Sequence, residues 1–270
     1  MLATRLFEPG DIRTVEVPEP QPLPGDIVVK VEAAGICGTD RHLFKGEFPS
    51  VPGKILGHEF SGIIVDAGSS DFEEGARVTC DPNTWCGACP QCMAGRVNLC
   101  INNLATGIGR DGGFAEYCAF PAHKAHALPA DLDPLFGAFC EPLACTIHGM
   151  DIGRIQPGER VLVIGGGVIG LLAVQLANAA GGRVALLTRS ESKQQLGAAL
   201  GAELVAGTPD DVRAFWPGGA DLVIECAGVP ATVAMSPKLT KSGGRIVILG
   251  VLPQGLEVPI EPFDLLFREI

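Results

Sequence analysis

The sequence is short of charged residues, and of basic ones above all. Asp, Glu, Lys and Arg make up 19% of 270 residues, with 20 Lys and Arg against 31 Asp and Glu. The formal net charge of −11 opposes nonspecific attraction to nucleic-acid phosphates and to anionic membrane surfaces. With 47% hydrophobic residues, the composition also excludes an intrinsically disordered chain. We therefore expect a folded protein that binds neither nucleic acid nor membranes.

The sequence also lacks a long uninterrupted apolar run. The longest, near residues 161–180, is broken by glycines, Gln175 and Asn178, and residues 1–10 lack the basic flank and apolar core of a signal peptide. We therefore predict a soluble, cytoplasmic protein. Its ten cysteines then favour metal binding over disulfides, because disulfides are rare in that compartment.

The character of the chain changes near residue 150. Before it, short β-type runs such as 27–32 and 62–65 are bounded by proline and glycine, which predicts a mostly-β domain over residues 1–150. After it, apolar strands alternate with helical stretches, which predicts a doubly wound parallel sheet over residues 151–270. The strands are expected at 161–165, 183–188, 203–206, 221–226 and 245–250, and the helices at 171–180, 191–200 and 231–239.

A glycine-rich segment follows the first of these strands. Gly165, Gly167 and Gly170 fit the pattern G-x-G-x-x-G, and Val168 and Ile169 complete it. In such a turn the glycines permit a tight bend, close backbone approach to a pyrophosphate and close packing of helix on strand. The placement favours a dinucleotide site over a turn that binds nothing.

The end of the second strand bears on which dinucleotide binds. An NAD site usually has an acidic residue there, whereas this sequence has Thr188 followed by Arg189. Arg189 could pair with a 2′-phosphate, which favours NADP over NAD. The alternative is that Arg189 is a solvated surface residue and that the site accepts both cofactors.

Four cysteines lie close together in the first half of the chain: Cys86, Cys89, Cys92 and Cys100. Four thiolates from one short loop can close a tetrahedral shell, which predicts a structural zinc site. An iron–sulfur cluster also takes four thiolates and is the alternative.

Three further residues are candidates for a catalytic metal site, namely Cys37, His58 and Glu141. A catalytic zinc needs three protein ligands and one open position. Their spacing alone does not join them, and a lone cysteine or histidine is more often a buried core residue than a ligand.

Together these motifs resemble the zinc-containing medium-chain dehydrogenase/reductase family, in particular its polyol branch of sorbitol- and arabitol-type dehydrogenases. The resemblance extends over nearly the whole chain. It rests on residues 37–42, 57–59, the four-cysteine loop, 111–117, 141–144 and the glycine turn. It implies a GroES-like catalytic domain followed by a Rossmann domain.

The resemblance also implies roles for individual residues. Catalytic zinc would be held by Cys37, His58 and Glu141, with Cys140 the alternative third ligand, and two zinc ions would bind per chain. Glu59 would stand next to the metal ligands, and Asp40 would fix the histidine. Thr39 and His42 would carry away the alcohol proton.

Members of that family are longer than this chain, which ends where the sixth Rossmann strand would begin. We therefore expect a Rossmann domain without its last strand, an uncovered sheet edge, and doubt over the homo-oligomer that is usual for the family.

The function expected from these features is oxidation of a secondary alcohol of a polyol to a ketone, with hydride transfer to NAD(P). One alternative is a zinc-dependent dehydrogenase of a simple alcohol or a threonine-like substrate. An alternative of another class is an inactive, truncated cofactor-binding protein.

Overall fold

The chain divides into two units, Met1–Glu141 and Pro142–Ile270, in a computed structural model that describes residues 1–49 and 51–270. Sequence composition placed the change near residue 150. The helix Cys140–Gly153 runs through both positions, and a continuous helix offers no turn residues that would mark the division.

The first unit is built mainly of antiparallel strands. A three-stranded sheet has the order β2-β1-β4 and a five-stranded sheet the order β7-β3-β5-β6-β8. The strands are β1 (Leu2–Glu8), β2 (Asp11–Glu16), β3 (Asp26–Gly35), β4 (Lys54–Ile55), β5 (Glu59–Asp66), β6 (Arg77–Cys80), β7 (Tyr117–Pro121) and β8 (Ala125–Ala127). The helices are α1 (Gly38–Lys45), α2 (Pro90–Met93) and α3 (Pro134–Ala138), with short 3-10 turns at Val97–Leu99 and Ala122–Lys124. The predicted mostly-β character is confirmed.

The core of the first unit lies on one face of the larger sheet. Ile27 and Val29 of β3 alternate inward with period two and meet Phe60 of β5. Phe60 packs edge-on against Phe120 of β7, with ring centroids 5.6 Å apart. Burial of these side chains fixes the register of β3 and β5, and with it the residues at the strand ends.

The second unit is the predicted doubly wound α/β sheet. Its five strands are all parallel, in the order β11-β10-β9-β12-β13. The strands are β9 (Arg160–Ile164), β10 (Arg183–Leu187), β11 (Leu204–Ala206), β12 (Ala220–Glu225) and β13 (Thr240–Ile248). The helices are α4 (Cys140–Gly153), which begins in the first unit, α5 (Val168–Ala179), α6 (Glu191–Ala199), α7 (Pro209–Phe215), α8 (Pro230–Leu239) and α9 (Pro262–Arg268).

Alternate residues of each central strand serve two different cores. Val161 and Val163 of β9 face α5, whereas Leu162 and Ile164 face the core that contains Trp216. Both faces of β9 are therefore buried, which explains its continuous apolar sequence. The order of strands reverses between β9 and β12, and ligands of such sheets bind at the carboxyl ends of the strands on either side of that point.

The helix α7 was not predicted from the sequence. Its start carries a local signal, because Thr208 and Asp211 form a reciprocal capping box and Pro209 is the first helical residue. The stretch was too short to show helical periodicity.

Two absences hold for the described residues. No helix among them is both long enough and apolar enough to cross a membrane. None of the ten cysteines forms a disulfide bond.

Asp221 at the start of β12 makes the second unit sensitive to acid. Its carboxylate accepts hydrogen bonds from the Arg160 backbone N–H at 2.8 Å and Nε at 3.0 Å, and it pairs with Lys241 Nζ at 2.5 Å. Burial opposes ionisation, but hydrogen bonds from Lys241 and Arg160 together lower the pKa of Asp221 to about 2.

We expect Asp221→Asn to destabilise the second unit at neutral pH, with a loss that shrinks as the pH falls. A pKa below its ordinary value of 3.8 gives stability that is complete above that value and disappears as the pH falls towards about 2. The measurement is the urea midpoint as a function of pH, followed by Trp216 fluorescence in chains in which Trp85, the other tryptophan, is replaced by Phe. Asp210→Asn, which alters an exposed pair with Arg213, is the control. A loss independent of pH would contradict the assignment.

Candidate metal centres and cofactor turn

The four cysteines of the loop 86–100 lie in one cluster. Their sulfur atoms are all within 4.8 Å of one another. The Sγ–Sγ separations are 3.5 Å for Cys89–Cys92, 3.9 Å for Cys89–Cys100 and 3.6 Å for Cys86–Cys100. Sulfurs bound tetrahedrally at about 2.3 Å from one zinc ion lie about 3.8 Å apart, and a disulfide would need about 2 Å. The spacing therefore fits a four-thiolate metal shell.

Hydrogen-bond donors around this cluster support thiolate charge. The Cys89 N–H donates to Cys86 Sγ at 3.4 Å, and Asn102 Nδ2 donates to the same sulfur at 3.6 Å. The Asn102 N–H donates to Cys100 Sγ at 3.4 Å. Hydrogen bonds from the Ala88 N–H and from Asn102 lower the pKa of Cys86 to about 6. In the same cluster burial raises the pKa of Cys92 to about 12, an effect that a bound cation would offset.

A second group of potential ligands joins Cys37, His58 and Glu59. Their ligand atoms lie within 4.8 Å of one another, although they come from the residue before α1, the β4–β5 connection and the start of β5. Cys37 precedes α1, and its N–H donates to Asp40 Oδ2 at 2.8 Å. Gly35, the last residue of β3, pairs with Glu59 across the sheet, and a Cβ at Gly35 would collide with Glu59 Oε2. A glycine at this position thus makes room for the carboxylate.

The electrostatics of this second group favour a bound cation. Burial, with the negative charges of Glu59 and Glu141, raises the pKa of the Cys37 thiol to about 11. Burial and then Glu141 raise the pKa of Glu59 above its ordinary value. Like-charged donors gathered in a desolvated place are stabilised by a divalent ion, which offsets both effects.

Asp40 stands behind the histidine of this group. Its Oδ1 lies 3.7 Å from His58 Nδ1, and both side chains are 95% buried. Neither atom has a hydrogen-bond partner within the described part of the chain. Burial raises the pKa of Asp40. With a carboxylate on the Nδ1 side, Nε2 is the ring nitrogen left for a metal, as in carboxylate–histidine–metal arrangements.

Glu141 and Cys140 begin α4 and do not belong to the three-residue group. The Glu141 charge nevertheless acts on both Cys37 and Glu59. Burial raises the pKa of the half-buried Cys140, whose thiol donates to the Phe136 carbonyl at 3.8 Å. The sequence therefore offers two carboxylates for a third ligand, of which Glu59 is grouped with Cys37 and His58 in this structure.

Thr39 and His42 lie on α1 beside this group. Burial has the larger effect on the pKa of the Cys37 thiol and raises it, whereas the Thr39 N–H and hydroxyl lower it. His42 is three residues further on, on the same side of the helix, and its Nδ1 lies 2.8 Å from Glu47 Oε2. Glu47 was not identified from the sequence, because a charged residue in a loop carries no local signal of its partner.

The glycine turn after β9 has the conformation that its pattern predicts. Gly165 has φ of +107°, which favours glycine, and its N–H donates to the Leu187 carbonyl at 2.9 Å. A Cβ at Gly170 would collide with the Gly165 carbonyl oxygen, whereas one at Gly167 would enter open space. Gly167 precedes α5 without a side-chain cap, so the first N–H groups, including those of Val168 and Ile169, are open to an anion.

The residues after β10 border the same turn. A Cβ at Gly166 would lie 3.0 Å from Thr188 Oγ1 and 3.0 Å from Lys193 Cβ. Arg189 and Lys193 are exposed, and neither forms an ion pair with any described residue. Lys193 was not predicted from the sequence, because it lies on α6, beyond the strand end, and only the fold brings it beside Gly166.

Comparisons with known proteins agree with both units. Residues 23–130 match the alcohol dehydrogenase GroES-like domain model, and residues 168–270 match the zinc-binding dehydrogenase model. A sorbitol dehydrogenase of Halalkalibacterium halodurans is 35% identical over 256 residues, covering 91% of this chain and 75% of that protein. An L-threonine 3-dehydrogenase of Streptomyces avermitilis is 36% identical over 270 residues, covering 94% of this chain and 77% of that protein.

One solved structure is more similar. A protein of Sinorhizobium meliloti 1021, described as a zinc-binding dehydrogenase and crystallised with NADP, superposes with a TM-score of 0.95 at 56% identity. The match covers 99% of this chain and 82% of that one. The GroES-like and Rossmann-type folds expected from the sequence are confirmed.

We expect the purified chain to contain two zinc ions and Cys37→Ser to contain one, with the four-thiolate ion retained. Loss of the only sulfur in the second group removes its strongest zinc ligand. The measurement is metal content by mass spectrometry beside circular dichroism. Cys80→Ser, which alters a buried thiol outside both groups, is the control. Equal zinc in wild type and Cys37→Ser would contradict a metal site there.

The same measurement separates the two carboxylates. If Glu59 is the third ligand, Glu59→Gln loses the second zinc more readily on dialysis against a chelator than Glu141→Gln does. The reverse order would return that role to Glu141.

Proposed function

Because the chain belongs to the zinc-containing medium-chain dehydrogenase/reductase family, and is thus an NAD(P)-dependent oxidoreductase acting on CH–OH groups, we propose that it oxidises a secondary alcohol of a polyol to a ketone. The observation that carries this proposal is the convergence of Cys37, His58 and a carboxylate in the first unit. The second unit contributes a glycine turn of the dinucleotide-binding form.

The proposed catalytic zinc is held by Cys37, His58 and one of the carboxylates Glu59 and Glu141. Zinc in such a site is a Lewis acid that makes loss of the substrate's hydroxyl proton possible near neutral pH. Asp40 orients the His58 ring, and Gly35 leaves space for the Glu59 carboxylate. A second zinc, in the loop of four cysteines, has the structural role.

The hydroxyl proton leaves through α1 in this proposal. Thr39 Oγ1 accepts it and passes it towards His42, which lies on the same side of the helix. Glu47 accepts a hydrogen bond from His42 Nδ1–H and fixes the ring so that the other nitrogen faces the relay. The proton then reaches solvent from the half-buried His42.

The cofactor site is proposed at Gly165, Gly167 and Gly170, with the N–H groups of Val168 and Ile169 directed at the pyrophosphate. A nicotinamide cofactor supplies the hydride acceptor in this reaction. Because Gly167 has no side chain, the space beside it is open and the phosphates can approach the start of α5.

We propose NADP as the preferred cofactor. Thr188 stands where an NAD site usually has an acid, so nothing there repels a 2′-phosphate. Arg189 and Lys193 supply two unpaired cations at the same border of the turn. The similar Sinorhizobium meliloti structure, which contains NADP, supports this preference.

The substrate class is proposed from the similar proteins. Both the sorbitol and the threonine dehydrogenases, as named, act on an alcohol that carries further polar groups. A threonine-like hydroxy acid is the second candidate because that relative is equally similar in sequence. Both substrates present a secondary hydroxyl to the same metal.

A substrate panel tests the proposed function. The zinc-loaded chain is assayed with polyols, L-threonine and simple alcohols, each with NADP and with NAD, following reduced cofactor by absorbance. We expect the highest kcat/KM with a polyol and NADP. Preference for threonine would favour the second candidate, and no turnover with any alcohol despite full zinc and bound cofactor would contradict the proposal.

Arg189→Ala tests the cofactor preference. We expect the Kd for NADPH, measured by fluorescence, to rise about tenfold or more while that for NADH changes little, because a charge-assisted pair with the 2′-phosphate is lost. Arg213→Ala alters an exposed arginine paired with Asp210 and is the control. An unchanged ratio of the two Kd values would refute the role given to Arg189.

A further inference from the structure

Glu225 is a fully buried carboxylate at the carboxyl end of β12, and none of the roles above uses it. Its Oε1 accepts hydrogen bonds from the Ala227 N–H at 2.9 Å and the Gly228 N–H at 3.1 Å, and Gly228 N is also 3.2 Å from Oε2. The Thr232 hydroxyl lies 2.7 Å from Oε1 and 2.7 Å from the Val229 carbonyl oxygen, so one proton is shared between the two.

No cation accompanies this carboxylate. Among the ion pairs of residues 1–49 and 51–270, none includes Glu225, although its neighbour on the same strand, Asp221, has two basic partners. A buried carboxylate without a counter-ion persists only where hydrogen bonds replace its hydration. Here each donor belongs to the segment 226–232, so the side chain holds that segment in place.

The segment 226–228 packs without spare room between two neighbouring turns. A Cβ at Gly165 would lie 2.8 Å from the Ala227 nitrogen, and one at Gly228, where φ is +62°, would lie 2.5 Å from the Val251 carbonyl oxygen. The Cys226 N–H donates to the Ile164 carbonyl at 2.8 Å. A displacement of Ala227 therefore reaches Gly165 directly, because backbone meets backbone there.

We propose that Glu225 is a positioning residue for the dinucleotide site: by binding the N–H groups of Ala227 and Gly228 it fixes the backbone against which the glycine turn at Gly165 is seated. The inference rests on the proposed function, since it assumes that a dinucleotide occupies that turn. Glu225 itself touches no ligand and acts through the segment 226–228. Glu225 thus influences cofactor affinity without contacting the cofactor.

Cofactor affinity of the full zinc-loaded chain tests the inference. The Kd for NADPH is measured by fluorescence in wild type, Glu225→Gln, Thr232→Val and Thr232→Ser, beside the melting temperature. In Glu225→Gln an NH2 group replaces one of the two carboxylate oxygens, so that a donor faces a backbone N–H group where an acceptor was. We therefore expect the Kd of Glu225→Gln to rise about tenfold or more. Thr232→Val should raise it about threefold and Thr232→Ser should restore it.

Glu203→Gln is the matched control, because it makes the same change at an exposed residue paired with Arg183. Hydrogen exchange of the peptide covering residues 226–232, measured without cofactor, should be faster in Glu225→Gln and unchanged in the control. A Kd for folded Glu225→Gln within about twofold of wild type would overturn the inference. If that variant does not fold, equal Kd values for Thr232→Val and Thr232→Ser would overturn it.

These outcomes differ from failure of the proposed function. A wild-type chain that binds neither NADPH nor NADH would overturn both the dinucleotide site and this inference. Binding by wild type with no loss in the variants would overturn only the role of Glu225.

Discussion

Desolvation of potential metal ligands gathered in one buried place is the constraint on which the candidate metal centre of the first unit depends. Cys37 and Glu59 are desolvated together, Glu141 adds a further negative charge, and the pKa of both groups rises as a result. A divalent cation removes this penalty, because it favours the ionised form of each donor. The register of β3 and β5 places Gly35 opposite Glu59 and so leaves room for the Glu59 carboxylate beside the other donors. The packing of Ile27, Val29 and Phe60 fixes that register.

The loop of four cysteines also gathers groups that must ionise together to bind a metal, but there hydrogen-bond donors support the charge. Its thiols lie close together in a segment whose large apolar side chains, Met93, Val97 and Leu99, are exposed, and backbone N–H groups and Asn102 support the charge of the thiols. Metal ligation in such a loop takes the place of a hydrophobic core.

The second unit instead relies on the absence of side chains. Gly165, Gly170 and Gly228 allow backbones to approach more closely than any Cβ would permit, and Glu225 supplies acceptors for the N–H groups that this packing turns inward.

The features that could be predicted from the sequence are local ones. The glycine turn, the four-cysteine loop and the alternation of strand and helix are each contained in a short segment, and the parallel sheet and the family are confirmed. The association of Glu59 with Cys37 and His58 could not be derived from spacing, because it depends on the pairing of β3 with β5 across the sheet. Glu47 was missed because nothing in its local sequence marks it as the partner of His42, and Lys193 because its place beside Gly166 depends on the fold of the second unit. Asp211 and Thr208 show the opposite case, a capping signal that was present but overlooked.

The proposed function requires two zinc ions in chemically different shells. X-ray absorption at the zinc edge of the metal-loaded chain tests it most directly, since it reports the ligands of bound zinc and not only its amount. The account predicts a mixed shell, with sulfur at about 2.3 Å and nitrogen or oxygen at about 2.0–2.2 Å, in the proportion of five sulfurs to two ions. A shell of sulfur alone, at four per ion, would contradict a metal centre at Cys37 and His58.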